Sequence, residues 1–265
     1  MRPFLGTTLV SALLLVPPGR VPGPEPLRYA PLMLDCARYR VEVDSKITIV
    51  AGRQLTRETS RRDGIMVLRA TAADSLIKLE AWFDSLSLWR EGEGGRLGPD
   101  TDGLIGGRYR GLLTSLGGFT ATDTPFIPDE VREVAELEGA LGDLLPQLPA
   151  VPLRLGAGWK DDFGTVISRA EDGRENGQRV ERYRLIRRGS REEKRLLPDS
   201  TEVSATKNEN ESGIFSWSPE LGLVRWEREV HDEVRVPKGG LVKQPFTTGI
   251  VQQVRVTRVG GGCGE

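Results

Sequence analysis

The sequence predicts a mainly β protein: a long, curved antiparallel sheet or incomplete barrel with one helix packed against it. Three observations carry this. Apolar and polar residues alternate with period two through much of the chain. The alternating runs are long: the twelve residues from Arg38 to Ile49 would span roughly 40 Å, against about five or six residues in an ordinary strand. Only one segment changes to a helical period. Long strands with one apolar face must curve to bury it, so a compact sandwich of short strands fits less well.

In the first run, Tyr39, Val41, Val43, Ile47 and Ile49 share one face, and Arg38, Arg40, Glu42, Asp44, Lys46 and Thr48 the other. Gly52 and the stretch Arg61-Arg62-Asp63-Gly64 read as turns. A second strand follows over 65–71. A third, over 76–90, is long enough for a bulge; Ile77, Leu79, Ala81 and Phe83 share a face, opposite Glu80, Trp82 and Asp84. Residues 92–107 read as loop, and 108–122 as weak strand around Gly117-Gly118.

The helix is expected near 128–145. Pro128-Asp129-Glu130 suits a helix start, with acids at the positive end. Val131, Val134, Ala135, Leu141, Leu144 and Leu145 form an apolar stripe. Gly139 and Gly142 weaken it by about 1 kcal/mol each relative to Ala, and Pro146 and Pro149 end it. Strand patterning returns at 159–169, followed by an Asp172-Gly173 turn. Runs at 180–187 and 192–197 flank Gly189-Ser190, which reads as a hairpin turn. Residues 201–206 are polar. Runs at 214–217 and 223–236 flank a turn at 218–222, with Val224, Trp226, Val230, Val234 and Val236 on one face. Residues 250–259 make the last strand.

The expected organisation is a signal peptide and proline-rich spacer over 1–26 and a single β domain over 27–265. Arg2 precedes an apolar run from Phe4 to Val16, too short to span a bilayer but suited to a signal-peptide core. No A-x-A site follows it, and Pro17 to Pro24 form an extended spacer. No other run is long and apolar enough to predict a transmembrane span. The expected location is the periplasm or the extracellular space. There the two cysteines, Cys36 and Cys263, just outside the first and last strands, can pair if those strands are antiparallel neighbours; two unpaired thiols are the other reading.

With 37 Lys and Arg against 38 Asp and Glu, the chain lacks the basic excess of a nucleic-acid partner. At 38% hydrophobic and 28% charged residues it has the composition of a globular domain rather than a disordered one. The single histidine, His231, rules out a multi-histidine zinc site, and it sits on a charged strand face between Glu229 and Glu233. No phosphate-binding loop, dinucleotide fingerprint or nucleophile elbow occurs. Ser204 and Lys207 match an S-x-x-K spacing but lie in a polar strand and loop, and Asp100 and Asp102 suit a turn better than a calcium loop. No cofactor, metal or catalytic residue is expected. Glu80 and Asp84 flanking Trp82 could form a carboxylate pair beside a stacking aromatic, or simply a wet face. The basic stretch Arg179 to Arg195 reads as a solvated hairpin or a patch for anionic lipid or polysaccharide. Trp82, Trp217 and Trp226 are the candidate ligand contacts; core filling is the other reading of each.

Leu148 to Trp159 contains Pro152-x-x-x-Gly156-x-x-Trp159. It resembles the Pro-x-x-x-Gly-x-x-Trp stretch of uncharacterised exported bacterial β-rich proteins. The resemblance implies an envelope location and no activity. Physically, the prolines stiffen the return to the sheet, the glycine turns, and Trp159 can plug the core.

The functional expectation is a non-enzymatic exported envelope protein. It would bind an apolar or amphipathic, lipid-like ligand in a concave sheet, or mediate assembly with another envelope protein. A carboxylate enzyme acting on envelope polysaccharide and a purely structural surface module are the alternatives.

Overall fold

A computed structural model describes residues 25–196, 202–238 and 242–263. Nearly all of the expected signal peptide and spacer lies outside them. Twelve strands form one sheet: β1 (Ala37–Ala51), β2 (Gln54–Ala73), β3 (Leu76–Gly92), β4 (Gly95–Leu97), β5 (Tyr109–Thr114), β6 (Phe119–Asp123), β7 (Gly158–Lys160), β8 (Val166–Glu175), β9 (Gln178–Leu196), β10 (Glu202–Ser218), β11 (Gly222–Val236) and β12 (Phe246–Gly261). The order is β6-β5-β3-β2-β1-β12-β11-β10-β9-β8-β7, with β4 beside β3. Two meanders are therefore joined where the first and last long strands pair, and the sheet stays open between β6 and β7.

That central seam is antiparallel from Ala37↔Gly261 to Ala51↔Phe246. It brings the strand ends together, and Cys36 and Cys263 form a disulfide there with Cα atoms 4.8 Å apart. The predicted bulge in the third strand also occurs: Ile65 faces Ser85 but Met66 faces Phe83, leaving Asp84 as the extra residue.

Four local expectations are corrected. Arg61 to Gly64 lie inside β2. Gly64 is required not by a turn but by close approach, because a Cβ there would sit 2.6 Å from the Ser85 carbonyl oxygen. Asp172-Gly173 lies within β8; the chain turns instead at Asn176-Gly177, both with positive φ (49° and 82°), the pair favoured in a two-residue hairpin turn. Gly189-Ser190 lies inside the continuous β9, paired with Asn208 and Glu209 of β10.

The fourth correction concerns the helix near 128–145. It is reduced to one helical turn, α1 (Asp129–Arg132), and a 3-10 turn at Gly142–Leu144. Most of the apolar stripe is buried, with Val131, Val134, Leu141, Leu144 and Leu145 in the core and Ala135 partly buried against it; Leu137 and Ala140, outside the stripe, are buried as well. The backbone between is not helical, and arginines of the sheet take three of its carbonyls. Arg90 donates to the Glu133 carbonyl, Arg62 to that of Glu136 (3.3 Å) and Arg228 to that of Asp143 (3.2 Å). Carbonyls that a continuous helix would satisfy internally are taken by arginines.

Residues 124–157, the connection between the two edge strands, thus act as an irregular plug on the concave face. The plug packs on Tyr39, Val41, Met66, Phe83, Phe215 and Trp226. Residues 27–34 and the β5–β6 turn hold its far end: the Tyr29 hydroxyl donates to the Pro146 carbonyl (3.0 Å), and the Leu148 N–H donates to the Leu116 carbonyl of that turn (2.8 Å). Trp159 packs against the same core, partly buried.

Candidate functional site

Register places the concave face in rows across the sheet. The row through Val41 carries Leu86, Gly64, Val256, Trp226, Phe215 and Tyr183 and is apolar. One step along the strands, the row through Val43 carries Leu88, Arg62, Val254, Arg228, Gly213 and Leu185. The next, through Ser45, carries Arg90, Ser60, Gln252, Val230, Glu211 and Arg187. The concave surface therefore passes from an apolar zone into a charged belt, and the plug ends at that boundary.

Beyond the plug an open trough of about 440 Å³ remains between it and the sheet, within the usual range for small-molecule sites. Ile47, Ile250, Val230 and Val134 give it an apolar seam, flanked by the arginines of the belt.

The belt is largely self-neutralising. Glu211 is only 3% exposed and takes Arg187 at 2.7 Å and Arg228 at 2.8 Å. Lys207 pairs with Asp232 (3.3 Å) and Glu209 (3.7 Å), and Arg90 pairs with Glu58. Buried charges require such partners, since desolvation otherwise outweighs what they gain. Arg62 is the exception. Among the described residues it has no carboxylate within ion-pair distance; its Nη1 meets the Glu136 carbonyl, and its buried Nε meets nothing. Burial pushes the Arg62 guanidinium below its ordinary value, the nearby Asp143 carboxylate opposes this, and Arg228 adds to it. Burial also pushes the adjacent Tyr109 phenol up to about 12, and its hydroxyl has no hydrogen-bond partner among the described residues.

The three tryptophans singled out from sequence lie elsewhere. Trp82 is on the convex face beneath the Arg108 guanidinium (3.8 Å). Trp217 is core, edge-on to Tyr29 at 5.1 Å. Trp226 is buried under Arg228 (4.4 Å) and reaches a smaller cavity of about 230 Å³ beside the plug. Glu80 and Asp84 are also convex: Arg110 (3.0 Å) and Arg108 (3.6 Å) hold Glu80, and Arg38 holds Asp84. This is a paired outer surface rather than a cleft. His231 pairs with Glu229 on the same outer face (2.5 Å). Sequence reasoning missed Arg62, because Arg61-Arg62-Asp63-Gly64 looks like turn chemistry; the available signal was parity, since Arg62 falls in phase with Met66 and Leu68.

Fold and site together define an open antiparallel sheet carrying an internal plug and an amphipathic trough. No family model and no curated protein matches the chain. Among solved structures it is similar to lipovitellin, in a structure of lipid–protein interactions, with 9% identity over 88% of this chain and a TM-score of 0.48. The chain spans only 26% of the lipovitellin chain. It is also similar to the β domain of the Bordetella autotransporter Brka (12% identity, 84% of this chain and 100% of that one, TM-score 0.23). A DUF1329 family protein from Desulfovibrio piger has 10% identity over 86% of this chain and 88% of its own, with a TM-score of 0.17.

Proposed function

We propose that this is a non-enzymatic exported envelope protein that binds an amphipathic ligand in the trough of its concave sheet. The observation that carries the reading is the trough itself: a cavity bounded by sheet and plug that offers an apolar seam and a charged belt side by side. The plug fills the apolar end of the concave face, which favours an amphipathic ligand over a purely apolar one. The Cys36–Cys263 bond supports an oxidising compartment, where disulfides persist.

Native mass spectrometry of the full chain, purified without detergent and then loaded with a single-chain amphiphile, tests the reading. A saturable single adduct is expected, with loss of binding in Ile250→Glu, which puts a charge on the apolar seam. Absence of any saturable adduct would overturn it and leave the assembly or structural-module reading.

A further inference from the structure

The cations of the concave belt are not equivalent. Arg187, Arg228, Arg90 and Lys207 each hold a carboxylate of the sheet, and Arg132 on the plug holds Asp129 (3.1 Å) and Glu138 (3.0 Å). Arg62 also lines the trough, yet its one hydrogen bond among the described residues goes to a neutral backbone carbonyl. A guanidinium cannot shed its charge to escape burial, so an unpaired one beside a cavity is an open valence for an anion. Asp143, whose carboxylate acts on Arg62, is mostly exposed and lies 3.9 Å from Arg228, so it is shared between the two arginines. The unfilled demand is for one negative charge.

From Arg62 the apolar seam runs along the strands. Val43 and Val254 stand in its own row, the hydrogen-bonded pair Ser45 and Gln252 in the next, and Ile47 and Ile250 in the one after, with Val230 and Val134 also lining the trough. A ligand fixed at Arg62 by its head would lay its chain along that line.

We propose that the trough takes a single-chain amphiphile with a monoanionic oxyanion head, of the fatty-carboxylate type, and that Arg62 is the residue that recognises the head. The inference rests on the carrier reading above and sharpens it. Because the Arg62 Nε is covered and Nη1 is engaged, the head is met by the remaining Nη edge. A charge-assisted hydrogen bond there is the stronger kind.

Calorimetric titration of the full chain with decanoate, decanol, acetate and phosphate, each below any micelle concentration, tests this. Decanoate is expected to bind the wild-type chain, and Arg62→Gln to weaken it by at least about tenfold. Arg62→Lys, which keeps charge but loses the fork, should fall between. Decanol should bind wild type and Arg62→Gln alike, which also shows that the variant is folded. Arg96→Gln, a cation stacked on Trp89 outside the trough, should change nothing. Unchanged decanoate affinity in Arg62→Gln, with decanol still bound, would overturn the head-group assignment and leave the carrier reading standing. Acetate or phosphate binding as tightly as decanoate would overturn the amphiphile and leave a bare anion site. If neither decanoate nor decanol binds the wild type, the carrier reading fails and takes this inference with it.

Discussion

Gly64 and Arg62 are separated by one residue and share a strand face, and both were misread from sequence for the same reason. Glycine, aspartate and paired arginines suggest a turn when only local chemistry is considered. In the structure the glycine admits a bulge: its missing side chain lets the Ser85 carbonyl approach, with Leu86 and Phe83 side chains at 3.2 and 3.3 Å from where a Cβ would be. Gly64→Ala is therefore expected to destabilise the protein by about 1–3 kcal/mol, the usual cost of overpacking. The urea midpoint measures this; an unchanged midpoint would mean the β2–β3 register differs from the one described. Arg62, by contrast, has space beside it and holds no carboxylate among the described residues, which is why it belongs to the site and Gly64 to the scaffold.

At the scale of elements, the disulfide acts on the β1–β12 seam. It closes a separation of 227 residues and sits where Gly262 N–H donates to the Cys36 carbonyl at 3.0 Å. In the loop-entropy model so long a closure stabilises by at most about 5 kcal/mol. The Cys36→Ser, Cys263→Ser double variant should fold to the same sheet with a lower denaturation midpoint, because the seam's alternating Tyr39, Val41, Val43, Val254 and Val256 remain buried. Equal midpoints for the variant and the oxidised wild type would remove the bond from the protein's stability. The plug shows the opposite balance. Its helical spacing correctly marked most of the buried residues, but one-turn helices are held by tertiary contacts rather than propensity, and here arginines of the sheet take three of the backbone carbonyls.

Across the whole molecule, packing is graded along the strands. The strand segments beneath the plug are buried on the concave side, whereas the β1–β2 hairpin tip, with Val50 39% and Leu55 44% exposed, extends past it. Local opening follows such gradients. Hydrogen exchange should find amides near residues 64–68 and 254–256 protected to the level of global unfolding, and those near 49–56 exchanging through local opening. Uniform protection along β1 and β2 would contradict the picture of a sheet anchored at one end and open at the other. That open half is what gives the trough its space.

The sequence by itself determined the class of fold, the long curved strands, the bulge in the third, the antiparallel pairing of the first and last, and most of the buried residues of 128–145, with Leu137 and Ala140 missed. The strand and core patterns follow from period and parity, which are local properties of the chain; the bulge follows from strand length, and the pairing of the first and last strands from the placement of Cys36 and Cys263. The turn between β8 and β9 was misplaced at Asp172-Gly173; the chain turns four residues later, at Asn176-Gly177. Only the tertiary structure decided where the sheet stays open, that the intervening segment fills one end of the concave face without forming a full helix, and which arginine of the concave belt holds no carboxylate among the described residues. Those depend on register summed across up to eight strands, and a charge is paired or unpaired only once its neighbours in space, far away in the chain, are fixed.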